Sequence, residues 1–113
     1  MIQVYHNNRC GKSREAIKLL EGNGVEFEII KYLEHPPTID ELTELLRKLE
    51  LSPLELVRQK EKVWLENFKG KDLSDADIIK AMIENPILIE RPIVIVGNKA
   101  IIARPPEKLN DFI

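Results

Sequence analysis

The spacing of apolar residues at the start of the chain predicts a strand, a helix and a second strand. Ile2–Tyr5 is a short apolar-rich run typical of a strand, and Gly11–Glu21 carries apolar residues at helical spacing. Gly22–Gly24 ends that helix, since glycine readily adopts the left-handed conformation of a C-cap. Val25–Leu33, rich in β-branched and aromatic residues, predicts the second strand. The short return connection predicts a βαβ unit with parallel strands.

The middle of the chain has the pattern of several short helices. Capping boxes begin at Thr38, Ser52 and Ser74, and apolar residues at helical spacing follow them. Lys60–Asp72 lies between these helices and is very polar, so we expect a connection that is mobile at Gly70.

The last part of the chain returns to strand patterns. Ile93–Val96 and Ala100–Ala103 are apolar runs separated by a turn at Gly97-Asn98, which predicts a β-hairpin. Glu107–Phe112 is predicted as a final short helix.

The order β-α-β, helical block, β-β-α predicts an α/β protein with the thioredoxin/glutaredoxin-like arrangement. We expect a mixed sheet in which two strands are parallel and the terminal hairpin is antiparallel. The prediction is a single domain over residues 1–113, with a helical insertion at about 38–85.

Composition narrows the functional classes. The net charge is −2, from 17 basic and 19 acidic residues, so the chain has no global basic field for nucleic acid. It has no apolar run long enough for a membrane helix and no signal-peptide pattern. A single cysteine suits a reducing compartment, and with two histidines it makes a metal site improbable. We expect a cytoplasmic protein that binds neither nucleic acid nor membrane.

Cys10 is the residue that most strongly indicates chemistry. It lies at a strand-to-helix turn, where unpaired backbone N–H groups and the helix dipole favour an anion. Arg9, Lys12 and Arg14 add positive charge, which lowers the pKa of a thiol. Most free cysteines are small buried hydrophobes, but the cationic surroundings favour a reactive thiolate here.

Other polar residues are candidates for the same site. His6 either stabilises the thiolate or caps the strand end, and Ser13 either donates to the sulfur or caps the helix, which local sequence favours. Taken singly, each isolated arginine favours a solvated surface role. Two of them lie at the ends of the predicted hairpin, where sites gather in open α/β sheets. The three arginines are Arg58, Arg91 and Arg104.

Several segments together resemble the glutaredoxin-coupled arsenate reductase family, which is ArsC-like within the ArsC/Spx group. The resemblance spans essentially the whole chain. Its motifs are His6–Arg14, Asn85–Val94 and Arg104–Pro106, and Arg58 falls at the matching place of the helical block.

The resemblance implies an arsenate reductase with no bound cofactor, glutathione as co-substrate and glutaredoxin as electron source. It implies that Cys10 attacks arsenate, that His6 helps keep the thiol ionised and that Ser13 supports the thiolate. It also implies a cis peptide bond at Pro92. The oxyanion-binding residues that it implies are Arg58, Arg91 and Arg104.

Asn8 and Arg9 depart from the best-studied members, which carry proline and a small residue there. The departure leaves two alternatives open: a thiol-redox protein acting on glutathione mixed disulfides, or a non-catalytic regulator that binds a partner. The Spx branch is less favoured, because its members typically have a second cysteine where Ser13 stands.

Overall fold

A computed structural model describes residues 2–112. Contacts divide the chain into two compact units. The first, called the sheet unit below, joins the chain up to His35 with the chain from Arg91 onward; the second, the helical unit, spans Pro36–Glu90. The helical unit corresponds to the predicted insertion, and folding of both units as a single domain stays a prediction.

The sheet unit contains the strands β1 (Ile2–Tyr5), β2 (Phe27–Ile30), β3 (Ile93–Val96) and β4 (Lys99–Ile102). They form a four-stranded mixed sheet in the order β2-β1-β3-β4. β1 is parallel to β2 and antiparallel to β3, and β3 and β4 form the antiparallel hairpin, so the predicted fold class is confirmed.

Helix α1 (Gly11–Gly22) supplies the helical side of the core in the sheet unit. Ala16 and Leu20, one helical turn apart, are fully buried together with Val4 and Val94 of the central strands. Burying such apolar surface is the main favourable term in folding. The core therefore fixes α1 against the sheet, and with it the loop that precedes α1.

Several predicted boundaries in the sheet unit are wrong, including that of β4, which begins and ends one residue earlier than the predicted Ala100–Ala103. β2 is shorter than the predicted Val25–Leu33 because β1, its partner, pairs it only from Phe27 to Ile30. The chain then turns, with His35 N–H donating to the Lys31 carbonyl. The last helix is a 3₁₀ helix, Pro106–Asp111, whose backbone hydrogen bonds span three residues rather than four.

The helical unit consists of four α-helices and a 3₁₀ helix. The predicted capping boxes at Thr38, Ser52 and Ser74 are all formed. The helices are α2 (Ile39–Leu49), α3 (Pro53–Leu56), α4 (Lys62–Asn67), α5 (Asp75–Glu84) and the 3₁₀ helix Pro86–Leu88. Within the described residues no helix is long and apolar enough to span a bilayer.

The polar segment Lys60–Asp72 is more ordered than the sequence predicts, because it contains α4. Trp64 on this helix is 5% exposed, and its ring stacks on Phe68 at 5.5 Å between centroids. Removing the large aromatic surface of Trp64 from water stabilises this short helix, which its polar residues would not stabilise by themselves. The predicted mobility at Gly70, where φ is +81°, stays a prediction.

Candidate active site

The loop between β1 and α1 is held by a buried asparagine. Asn7 is 5% exposed; its carbonyl accepts from the Cys10 N–H at 3.0 Å and its side-chain Oδ1 accepts from the Arg9 N–H at 3.0 Å. The Asn7 N–H in turn donates to the Ser13 hydroxyl oxygen at 3.3 Å. Sequence reasoning missed Asn7. The available signal was an asparagine in a turn, a residue that often bonds the backbone two positions on.

Cys10 is the N-cap residue of α1 and is 7% exposed. Burial raises the pKa of its thiol and is the largest single influence, but hydrogen bonds from the Ser13 backbone N–H and from the Arg91 side chain lower this pKa. The charge of Arg91 and the Lys12 backbone N–H act in the same direction, and the pKa of Cys10 falls from 9.0 to about 7. Near neutral pH a large fraction of Cys10 is therefore the nucleophilic thiolate.

Two of the three predicted arginines meet at this sulfur. Besides the contact from Arg91, the Arg104 Nη1 lies 4.0 Å from the Cys10 Sγ and 3.4 Å from the Arg91 carbonyl oxygen, to which it donates. Arg91 precedes β3 and Arg104 follows β4, so the hairpin brings together residues that are distant in sequence. The predicted cis bond at Pro92 is confirmed, and a second one, Arg104–Pro105, was not predicted.

Ser13 has a different place from the one that local sequence favours. α1 begins at Gly11, so Ser13 lies within the first turn and does not cap the helix. Its fully buried hydroxyl accepts from Asn7, and its backbone N–H stabilises the sulfur of Cys10. Support of the thiolate through the Ser13 hydroxyl stays a prediction.

The surroundings of His6 favour its neutral form. Burial lowers the pKa of His6 below its ordinary 6.5, and the positive charges of Arg14 and Lys31 lower that pKa further. Its Nδ1 is buried without a hydrogen-bond partner among residues 2–112. The lowered pKa favours the neutral form of His6 at neutral pH, and stabilisation of the thiolate by His6 stays a prediction.

Arg58 belongs to the helical unit, where two carboxylates hold it. An antiparallel β-bridge pairs Val57 with Ile89. Next to it, the Arg58 N–H donates to the Leu88 carbonyl at 2.7 Å, so the segment that carries Arg58 is aligned with the segment that leads to Glu90. Arg58 donates through Nη1 to Glu90 at 2.8 Å and through Nε to Glu61 at 3.2 Å. Oxyanion binding by Arg58 stays a prediction.

The geometry of the sheet unit defines a class of site: a lone activated thiolate beside two guanidinium groups. A guanidinium fork presents several N–H donors and keeps its charge at all relevant pH values, which suits a tetrahedral oxyanion. Within the described residues, no cluster of three or more histidine, cysteine or acidic side chains could hold a metal ion.

Comparison with known proteins places this site in a family. Residues 5–112 match the model of the ArsC family. The chain is 46% identical to the uncharacterized protein YfgD of Escherichia coli over 99% of its own length and 96% of that protein. It is 40% identical to an arsenate reductase of Haemophilus influenzae, over 97% of each chain.

Similarity to a solved structure supports the same family. The chain matches an arsenate reductase from Vibrio cholerae with a TM-score of 0.94 and 41% identity, covering 99% of this chain and 97% of that one. The protein therefore belongs to the ArsC family, with the thioredoxin-like fold.

Proposed function

We propose that this protein reduces arsenate to arsenite through a covalent adduct on Cys10. The observation that carries the proposal is the thiol with a pKa of about 7, flanked by Arg91 and by the Arg104 guanidinium 4.0 Å from its sulfur. Arsenate is a tetrahedral dianion near neutral pH, so it matches two guanidinium forks next to a nucleophile. Relatives named arsenate reductase add support.

The first step forms the adduct. The Cys10 thiolate attacks arsenic, an S–As bond forms, and one arsenate oxygen leaves as water after taking up protons. Arg91 and Arg104 hold the remaining oxygens and offset the negative charge that gathers on them. Arsenic is still As(V) at this point, because no electrons have yet been transferred.

The reducing step needs an external thiol, since Cys10 is the only cysteine in the chain. In this proposal a glutathione thiolate attacks the Cys10 sulfur, forming an S–S bond and breaking the S–As bond. The electron pair of the broken bond stays on arsenic, which leaves as arsenite, As(III). A glutaredoxin thiol then attacks the glutathione sulfur and releases Cys10 as a thiolate by thiol–disulfide exchange.

Arg58 is the third oxyanion-binding residue in this proposal, and His6 and Ser13 support the thiol. No bound cofactor takes part. The need for glutathione fits a reducing compartment, so a cytoplasmic location belongs to the same proposal.

A coupled assay tests the function. NADPH consumption is followed with glutathione, glutaredoxin and glutathione reductase, with and without arsenate; we expect arsenate-dependent consumption that Cys10→Ser abolishes. Intact mass should show a glutathione adduct that Cys10→Ser lacks. Arsenate-dependent turnover that survives Cys10→Ser, or equal rates with thioredoxin as the only thiol source, would overturn the proposal. Turnover with a glutathione mixed disulfide but not with arsenate would instead support the thiol-exchange alternative.

A further inference from the structure

The sheet unit contains a cavity next to the loop that carries Cys10. Its volume is about 330 Å³. Residues 6–9, which follow β1, form one wall, and Lys31, Leu33 and Glu34, which follow β2, form the other. The cavity therefore lies beyond the carboxyl ends of two parallel strands, the usual place for a ligand in an open α/β sheet.

The wall formed by residues 6–9 is held by hydrogen bonds and directly precedes Cys10 in the chain. Asn7 accepts from the backbone N–H groups of Arg9 and Cys10, and Arg14 Nη1 donates to the Asn8 carbonyl at 3.0 Å. Arg9 is exposed in the cavity wall, and the next residue in the chain is Cys10. A ligand bound here lies beside the loop that ends at the thiol.

The charges of the lining are two positive and one negative. Arg9 and Lys31 carry guanidinium and ammonium groups, and Glu34 carries a carboxylate; all three side chains are exposed. Among the described residues, these three form no ion pair with one another. Their charged groups are available to a ligand.

We propose that this cavity binds glutathione and delivers its thiol to the adduct on Cys10, an inference that rests on the proposed function. Glutathione has two carboxylates and one ammonium group, which complement the two cations and the one carboxylate of the lining. A simple inorganic anion would use Arg9 and Lys31 but would be repelled by Glu34. Arg9, one of the positions where the sequence departs from the best-studied relatives, thus acquires a role as a specificity-determining residue.

Titration calorimetry with S-methylglutathione tests the site, because the blocked thiol binds without exchange. We expect saturable binding to the whole protein. Arg9→Ala and Lys31→Ala should each weaken it by about three- to tenfold, since each removes one exposed charge-assisted contact. Lys99→Ala is the matched control: it removes an exposed lysine of the same unit that lies outside the cavity lining, and it should leave binding unchanged.

Glu34→Gln distinguishes a cavity that binds a zwitterionic peptide from one that binds a simple anion. It should weaken S-methylglutathione by about two- to fivefold through loss of the ammonium contact. In the same titration with sulfate it should leave binding unchanged or tighten it. Tighter binding of S-methylglutathione to Glu34→Gln, or unchanged binding to both Arg9→Ala and Lys31→Ala, would overturn the inference.

Results with the same variants distinguish a failure of this inference from a failure of the proposed function. Arsenate reduction with an unchanged KM for glutathione in Arg9→Ala and Lys31→Ala would leave the proposed function standing and remove the cavity from it. The expected pattern of S-methylglutathione binding, without any arsenate-dependent turnover, would leave the binding site standing and overturn the reductase.

Discussion

The sheet unit and the helical unit pair arginine with different acidic groups. In the sheet unit, Arg91 and Arg104 face the sulfur of Cys10, and Arg91 lowers its pKa. In the helical unit, Arg58 faces the carboxylates of Glu61 and Glu90. A guanidinium that meets a thiolate activates a nucleophile, whereas one that meets two carboxylates is neutralised locally and held in place. Residue type alone therefore does not tell which arginine tunes the thiol.

The pH dependence of Cys10 should show the largest effect. Because its pKa is lowered from 9.0 to about 7, the rate of alkylation should rise with pH and level off above about 7. Below the pKa the thiolate fraction falls about tenfold per pH unit. The lowered pKa also stabilises the folded state above pH 9, and this stabilisation is lost as pH falls through about 7. Alkylation with iodoacetamide at several pH values measures the midpoint, and a midpoint near 9 would remove the contrast between the units.

Arg91→Ala should have the next largest effect. It removes both a hydrogen bond to the sulfur and a positive charge, so the pKa of Cys10 should rise back toward 9.0. Loss of a charge-assisted hydrogen bond costs about 1.5–3 kcal/mol, so kcat/KM for arsenate should fall by about tenfold or more. Ultraviolet absorbance of the thiolate and the coupled assay measure the two effects. Arg91→Lys should rescue only part of the loss, since lysine keeps the charge without the fork.

Arg58→Ala sharpens the comparison because it should weaken arsenate binding without changing the pKa of Cys10. If Arg58 binds oxyanion as proposed, kcat/KM for arsenate should fall by about tenfold, largely through KM. The pKa of Cys10 should stay at about 7, because Arg58 is not among the groups that lower it. A variant with a raised thiol pKa and unchanged KM would contradict the division of roles between the units.

Glu90→Gln should show a smaller effect, on stability. It removes the carboxylate that accepts from Arg58 at 2.8 Å, an ion pair whose side chains are only 21% and 26% exposed. We expect a loss of about 1 kcal/mol in the free energy of unfolding. Urea denaturation measures it, with Glu66→Gln as control, because Glu66 pairs with the highly exposed Lys62. Equal losses for the two variants would mean that Glu90 does not hold Arg58 more firmly than a surface pair would.

His6→Gln should show the smallest effect. The lowered pKa of His6 favours its neutral form, so replacing it with an uncharged hydrogen-bonding side chain should leave the pKa of Cys10 close to 7. The same thiolate titration measures it. A rise as large as that expected for Arg91→Ala would show that His6 stabilises the thiolate as strongly as Arg91 does.

The fold could be predicted from the sequence to a large extent, and the site to a lesser one. Strand pattern, capping boxes and the turn at Gly97 are local signals, so the element order and the mixed sheet were predictable. The end of β2 was not, because it depends on the length of its partner β1. Helix α4 was not predictable either, because it depends on the burial of Trp64, and that burial depends on the residues that pack around it.

The sequence by itself determined the nucleophile. Cys10 is the only cysteine, and it lies at a strand-to-helix turn, where backbone N–H groups stabilise a thiolate. Only the tertiary structure decided which groups act on it. Arg104 is 94 positions from Cys10, and its approach to the sulfur depends on the register of the hairpin. Local sequence sets backbone dihedrals, but the pKa of a thiol responds to charges and donors within a few ångströms, wherever in the chain they originate.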